Sequence, residues 1–539
     1  MKKIFILILV LCFCISDNAF TQLPTLLANL NPAGNSNPGT FTLANGKLFF
    51  RAQDGTHGFE LFVADGTVAG SKMVKDINPG SASSLPDFMA SYSGKLYFQA
   101  DDGTYGAELW SSDGTSVGTQ MVKDIYPGSL GSSPYIPTVF NDKLYFQASD
   151  TVNTQALWVT DGTSSGTMIV TPVISVTNLT VMNNLLFMNG SDTAHGSELW
   201  VTDGTTGPKL LKDISPGKGS GNPNSMAACN NKLFFSANDG TNGYELWVSD
   251  GTAAGTKLVK DINPGASSYP GNFIAYGGLT YFVADDGTHG RELWVTDGTD
   301  AGTHLLKDIN PGSNNFTIGS DIGIMQLGSK LYFGAEDVTG GAQLWSTDGT
   351  ATGTVMVKNI SPYSTGGVAP LDMHLYHDKL YFYAVDSLNG AELWVTDGTD
   401  TGTKIILPAV APNHDPLQLS PVPGAIIVYN DNLYWAANYD TSGQEVYMLH
   451  TPPTTGISTI INNDDFVIYP NPANDMLMVK IKAGDYDQLQ ILNTSGQTMT
   501  KQSVQSNETR LRIDQLPPGI YSILLHGTNS VQVKRFQKL

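Results

Sequence analysis

Runs of four to eight residues, apolar on alternate positions or throughout and separated by turns rich in Gly, Asp and Asn, fill the chain from residue 25 to residue 450 and predict strands. No segment sustains the spacing of apolar positions that a helix needs. In one representative stretch, Asp87 to Tyr92 reads as a first strand, Ser93-Gly94 as a tight turn and Lys95-Leu-Tyr-Phe-Gln-Ala100 as a second strand. Asp101-Asp-Gly-Thr-Tyr-Gly106 is then a loop, Glu108-Leu-Trp-Ser-Ser112 a third strand, and Thr119 to Ile125 a fourth. The second and third strands carry apolar bulk on both faces, as with Leu96 and Phe98 against Tyr97, so their sheet must lie between neighbours. The fourth carries Lys123-Asp124, repeated at Lys75-Asp76, Lys212-Asp213, Lys260-Asp261 and Lys307-Asp308, which predicts a solvent-facing edge.

The four-strand unit repeats. Glu292-Leu-Trp-Val-Thr-Asp-Gly-Thr299 has close copies whose aromatic anchors are Phe62, Trp110, Trp158, Trp200, Trp247, Trp294, Trp345 and Trp394, with an eroded ninth at Tyr447. A period of about 42 to 53 residues indicates propeller blades, solenoids or arrays. The Asp-Gly pairs are turn chemistry: Gly takes positive φ without steric cost, and the Asp carboxylate accepts from N–H groups two residues on. The chain ends choose between ring and stack. Thr25 to Pro32 aligns with the fourth strand Lys257 to Pro264, whereas Gly424 to Tyr429, Asn432 to Ala437 and Glu445 to Leu449 supply a first, second and third strand without a fourth. The expected fold is therefore all-β: a closed β-propeller of nine four-stranded blades, its N-terminal strand completing the last blade, followed by a small Ig-like β-sandwich. Eight blades with a distorted ninth, or an incompletely closed spiral, are the alternatives.

With the fourth strand outermost, the first lines the channel, and one face gathers the second-to-third loops together with the linkers between blades. That face is the more varied, and its candidate binding-loop residues are His57, Tyr105, His195, Asp285, Asp286 and His289. Three of its loops, Asp150-Thr-Val152, Asp192-Thr-Ala194 and Asp386-Ser-Leu388, resemble an Asp-Ser/Thr-apolar acceptor for O-glycosylation, at Thr151, Thr193 and Ser387.

Composition removes some partners. A net charge of -20 without a basic stripe disfavours nucleic acid and anionic membrane surfaces. Met1-Lys-Lys3 followed by the apolar run Ile4 to Ile15 reads as a secretory signal over 1–21, too short for a transmembrane segment. Without it one cysteine remains, Cys229, set in an apolar run and expected to be a buried small hydrophobe rather than part of a disulfide framework. The repeat region spans 22–450, and Thr451-Pro-Pro-Thr-Thr-Gly456 opens a linker over 451–464.

Residues 465–539 show six alternating strands. There Tyr469-Pro470-Asn471-Pro472, the segment Leu489 to Gly496, Leu516-Pro-Pro-Gly519-Ile-Tyr521 and the closing Lys534 to Lys538 resemble the type A C-terminal sorting domain of the type IX secretion system of Bacteroidetes-type bacteria. The resemblance implies passage through the outer membrane after Sec export, engagement of the type IX machinery, and anchoring at the cell surface or release. The repeats resemble the bacterial Glu-Leu-Trp-x-x-Asp-Gly-Thr family, a resemblance that implies a scaffold and no activity.

Paired acids such as Asp101-Asp102 and Asp285-Asp286 suit calcium by ligand type, but one turn offers only two or three carboxylate oxygens and no calcium-loop spacing is present, so hairpin stabilisation is the favoured role and no cofactor is expected. His57, His195 and His289 stand on different blades, too far apart to share a zinc. A glycosidase or lyase needs a unique cluster of carboxylates or of Arg, Tyr and His, and only Arg51 and Arg291 precede the C-terminal block. The chain thus reads as an exported non-catalytic binding module for a polysaccharide or a surface protein. A polysaccharide-degrading enzyme with its site at the channel mouth and a structural or adhesive surface protein are the rivals.

Overall fold

The computed structural model describes residues 24–312, 324–337, 341, 343–361, 370–386, 390–406, 426–439, 442–450, 466–469, 473–481, 486–492, 498–504, 508–517, 519–527 and 531–538. The chain divides into two compact units, 1–451 and 452–539.

The first unit is a ring of antiparallel four-stranded blades. Blade 1 is Gly39–Ala44, Lys47–Ala52, Glu60–Ala64 and Lys72–Lys75, and blade 2 is Asp87–Tyr92, Lys95–Asp101, Ala107–Ser112 and Gln120–Lys123. The same order recurs to blade 8, which ends at Lys404–Ile405. Blade 9 combines Ile426–Tyr429, Asn432–Ala437 and Glu445–Leu449 with Thr25–Ala28. In that blade Thr25 pairs with Met448, and Leu26 with Tyr447, so the strand expected to close the ring does so. Blades 3 and 4 depart from the repeat: the single strand Met168–Met182 serves as the fourth strand of one and the first of the other, giving a continuous seven-stranded sheet.

Burial explains the closure. The second and third strands are covered on both faces; Leu48, Phe49, Phe50 and Leu61, for example, are all fully buried. Nine apolar clusters fill the nine seams between neighbouring blades. One joins Phe49 and Leu61 of blade 1 to Leu96, Phe98 and Trp110 of blade 2. Another joins Tyr429 and Tyr434 of blade 9 to Leu48 and Phe50 of blade 1. Each sheet would expose two apolar faces alone, and only a closed ring covers them all. The Trp anchors are seam residues: Trp110, Trp158 and Trp345 lie under Lys75, Lys123 and Lys307 of the preceding blade at 5.5, 5.9 and 5.9 Å from Nζ to ring centre. The same lysines donate to Thr119 O, Thr167 O and Thr354 O. The fourth strand is an edge, as expected, but these lysines clamp the next blade instead of simply facing solvent.

The Asp-Gly-Thr-x-x-Gly-Thr loop is a closed hydrogen-bond circuit. Asp297 Oδ1 accepts from Thr299 N and Oγ1, Thr299 Oγ1 accepts from Gly302 N, and Thr303 Oγ1 donates to Thr299 O while meeting Thr296 Oγ1. Gly298 has φ 89°, where a side chain would be strained. Cys229 is buried as expected, and burial pushes its thiol up.

The second unit is a two-sheet sandwich, Phe466–Tyr469, Met476–Ile481 and Glu508–Arg512 in one sheet, and Thr498–Ser503, Tyr486–Leu492, Gly519–Gly527 and Val531–Lys538 in the other. Its core includes Leu477, Leu489, Ile523 and Phe536. Thr498–Ser503 is a strand the sequence reading passed over.

Candidate functional site

The loop residues singled out from the sequence stay within their own hairpins. His57, His195 and His289 sit on blades 1, 4 and 6, and each Nδ1 lies 2.7 to 2.9 Å from the Asp three residues earlier, Asp54, Asp192 or Asp286. That hydrogen bond raises all three imidazoles above their ordinary value. Burial opposes ionisation of the three Asp, yet the hydrogen bonds they accept, from His57, His195 and His289 among others, hold them below the usual carboxylate range. Asp285 accepts from Gly287 N, and Tyr105 N donates to Asp102. Thr151 and Thr193 are exposed on such loops, while Ser387 lies outside the described residues. Among the described residues, no group of three His, Cys, Asp or Glu is placed to hold a metal.

In the sorting segment Tyr469 is exposed, Leu516 and Lys538 are buried, and Tyr521 stacks on Phe536 while its hydroxyl donates to Pro517 O. Lys538 pairs with Gly519, and Lys534 Nζ lies 5.6 Å from the centre of the Phe466 ring. Pro470, Asn471, Pro472 and Gly496 lie outside the described residues.

A different feature organises the linker face. The Glu near the start of the third strand is fully buried and grips the following linker in blades 1, 2, 4, 5, 6 and 9. Glu108 accepts from Ile125 N, Tyr126 N, Ser132 N and Ser132 Oγ. Glu60 and Glu245 grip Ile77 with Ser84, and Ile262 with Ser268, in the same way. Glu445 holds Leu30 N, Asn31 N and Ser36 Oγ, locking the N-terminal segment into the ring. Burial pushes these carboxyls up, Glu292 to about 7, against the hydrogen bonds that favour ionisation.

Blade 3 has Ala156 in that place. No carboxylate holds a linker there, and the repeat has no Asn-Pro-Gly linker to hold; the chain runs straight through as Met168–Met182. A cavity of about 490 Å³ lies at this point, lined by Phe88 and Gln99 of blade 2, Tyr135, Gln147 and Gln155 of blade 3, and Thr177 of the strand shared with blade 4. Its size is within the range of small-molecule sites. None of its lining residues is charged. Phe88 and Tyr135 meet edge to face at 4.4 Å, and Tyr135 is 43% exposed.

Two further properties of this face escaped the sequence reading. Among the described residues the channel-lining first strand is bulged, with a non-glycine residue at positive φ, in seven blades: Thr40, Phe88, Ile136, Asn178, Ser225, Asn272 and Asp372 at 46 to 56°. Bulky and β-branched side chains resist that conformation, and strain of this kind concentrates at functional rims. Second, the penultimate position of the second-strand motif, in register with a third-strand Leu or Val in every blade, is Arg51, Gln99, Gln147, Asn189 and Ser236 in blades 1 to 5. It is Val283, Gly334, Tyr383 and Ala436 in blades 6 to 9. One arc of the ring is polar at this layer and the rest is apolar or filled by backbone, as at Gly334, where a Cβ would meet Pro370 O at 2.6 Å. Comparing that single position between repeats would have found the arc.

Residues 467–538 match the family described as secretion system C-terminal sorting domain. The tail marks the chain for export by type IX secretion, to the cell surface or the medium, and engages that machinery. Among the described residues no helix is long and apolar enough to cross a membrane. No curated protein sequence matches the chain. Similar solved structures include PorZ, an essential bacterial surface component of the type-IX secretion system of Porphyromonas gingivalis, at 12% identity over 93% of this chain and 75% of that one, TM-score 0.35. Dihydro-heme d1 dehydrogenase NirN is similar at 13% identity over 73% and 79%, TM-score 0.41. A puromycin hydrolase is similar at 12% identity over 65% and 58%, TM-score 0.36. These likenesses concern β architecture and carry no functional argument.

Proposed function

We infer that the chain is an exported, non-catalytic binding module, a β-propeller that presents its linker face to a polysaccharide or protein at the cell surface. The repeats, which resemble the bacterial Glu-Leu-Trp-x-x-Asp-Gly-Thr family, supply the rigid frame. The observation that carries the reading is the polar arc from Arg51 to Ser236, set into a scaffold whose other layers repeat from blade to blade. A purely structural ring gains nothing from confining polar side chains to one side of its mouth, since buried polar groups without partners are costly.

The reading is tested with the mature protein secreted by its own host, applied to a glycan array and to washed producer cells with photo-crosslinking, with and without chelator, followed by turnover assays on every ligand found. Saturable retention without turnover is expected, and the chelator arm reports any calcium requirement. Cleavage of a bound glycan that disappears on mutating one channel-mouth carboxylate would replace the binding module with a polysaccharide-degrading enzyme. No retention by glycans or cells would leave a structural protein. A variant lacking 452–539 is expected to stay inside the outer membrane with the propeller folded, because the two units have separate cores.

A further inference from the structure

The geometry points to the cavity beside Ala156 as a binding site for an uncharged saccharide, an inference that rests on the binding-module reading and gives its ligand a chemical class. Where the repeat is regular, the linker held by the buried Glu folds into the seam; Glu108 does this to the segment from Ile125 to Ser132. The Ala156 blade lacks both the acid and the linker, and the cavity lies against it, lined by blades 2 and 3 and by Thr177 of the shared strand. The cavity is furnished for a ligand. Gln147 is 5% exposed and lines the cavity, yet no described residue hydrogen-bonds its side-chain amide. The amide faces the cavity with no protein partner among the described residues, and a ligand with hydroxyl groups satisfies both its donor and its acceptor.

Gln99 stands at the same layer one blade back, and Ser133 and Thr177 add hydroxyls. These neutral groups each donate and accept, matching sugar hydroxyls, which do the same. Phe88 and Tyr135 supply an apolar platform suited to the C–H face of a pyranose ring. The nearby acid Asp87 is already engaged, its carboxylate 3.6 Å from Arg51. An anionic glycan finds no cation in the lining, and a peptide finds neither an aliphatic pocket nor a group for its termini.

The test is isothermal titration of the full mature protein with uncharged hexasaccharides (cello-, malto-, manno- and chito-series), an oligogalacturonate and an uncharged hexapeptide. Tyr135→Ala and Gln147→Leu are titrated alongside, with Val117→Ala, on an exposed loop of the opposite face, as control. Gln147→Leu strands no described protein partner, so the fold is expected to survive, as checked by an unchanged thermal midpoint. Binding of at least one uncharged hexasaccharide, weakened by about tenfold or more in both cavity variants and unchanged in the control, is the expected result. Binding that both variants leave intact overturns the site while the binding module stands. Preference for the oligogalacturonate or the peptide overturns the ligand class. Failure of every uncharged saccharide to bind at millimolar concentration also overturns the inference, and the crosslinking to producer cells then decides separately whether the module reading survives.

Discussion

Glu292 is fully enclosed, accepts from Ile309 N and Asn310 N, and has its carboxyl pushed up to about 7 by burial. A carboxyl raised in the folded state contributes stability that is complete below its unfolded value, about 4.3, and lost as pH rises through the folded value. His57, His195 and His289, raised by their Asp partners, act in the same sense, their contribution present below about 6.5 and lost as pH rises through the folded value. The turn acids Asp65, Asp113, Asp250 and Asp297, lowered chiefly by hydrogen bonds from the Thr two residues on, act oppositely, and their contribution is lost as pH falls below about 3.9. The thermal midpoint is therefore expected to peak near about pH 5 and to fall toward pH 8. Glu292→Gln, which removes one of the raised groups, is expected to flatten that fall; calorimetry showing equal slopes for both proteins would contradict the assignment. An amide is tolerated at this place, since Gln343 fills it in blade 7, accepting from Trp345 Nε1 and donating to Asp337. The turn role of Asp-Gly-Thr was legible in the sequence because its partners lie two to seven residues away. The Glu was not, because the groups it grips lie 17 to 24 residues downstream, with no periodic cue joining them.

Among elements, the linker between blades is gripped at both ends by one carboxylate, beside backbone bonds such as Ser133 N to Ala107 O and Ser149 N to Ser132 O. Glu108→Ala would strand two buried N–H groups, the partly buried Tyr126 N–H and the Ser132 hydroxyl, a loss of roughly 3 kcal/mol. Chemical denaturation monitored at the seam tryptophans checks this, and a change under about 0.5 kcal/mol would mean that the carboxylate is not a latch. Strand order within each blade was readable from alternation and turn residues. Two elements were not. Thr498–Ser503 has a single large apolar residue, Met499, and offers no alternating signal. Met168–Met182 reads as strand throughout, but its double role is set by the missing linker, and the clue was Ala156 standing where other copies carry Glu or Gln. The proposed site lies beside these two departures from the repeat.

At the scale of the molecule, the ring is completed by a strand from near the start of the chain and a latch from its ninth repeat. Thr25–Ala28 pairs with Glu445–Leu449, Glu445 fixes Leu30 and Asn31, and Leu27 packs with Tyr434 and Val446 in the closing seam. Closure was visible in the sequence as two complementary fragments of one repeat, whereas the polar arc was hidden, because it appears only when one position is compared around the ring. Every assignment of loops to a face depends on this closure. It is tested most directly by replacing Thr25 and Met448, opposite each other in the closing pair, with cysteines and following disulfide formation in the purified ring by thiol titration and gel mobility. Rapid loss of both new thiols, giving a covalently closed chain with a raised thermal midpoint, is the predicted result; two thiols that remain free in the folded protein would contradict a closed nine-bladed ring.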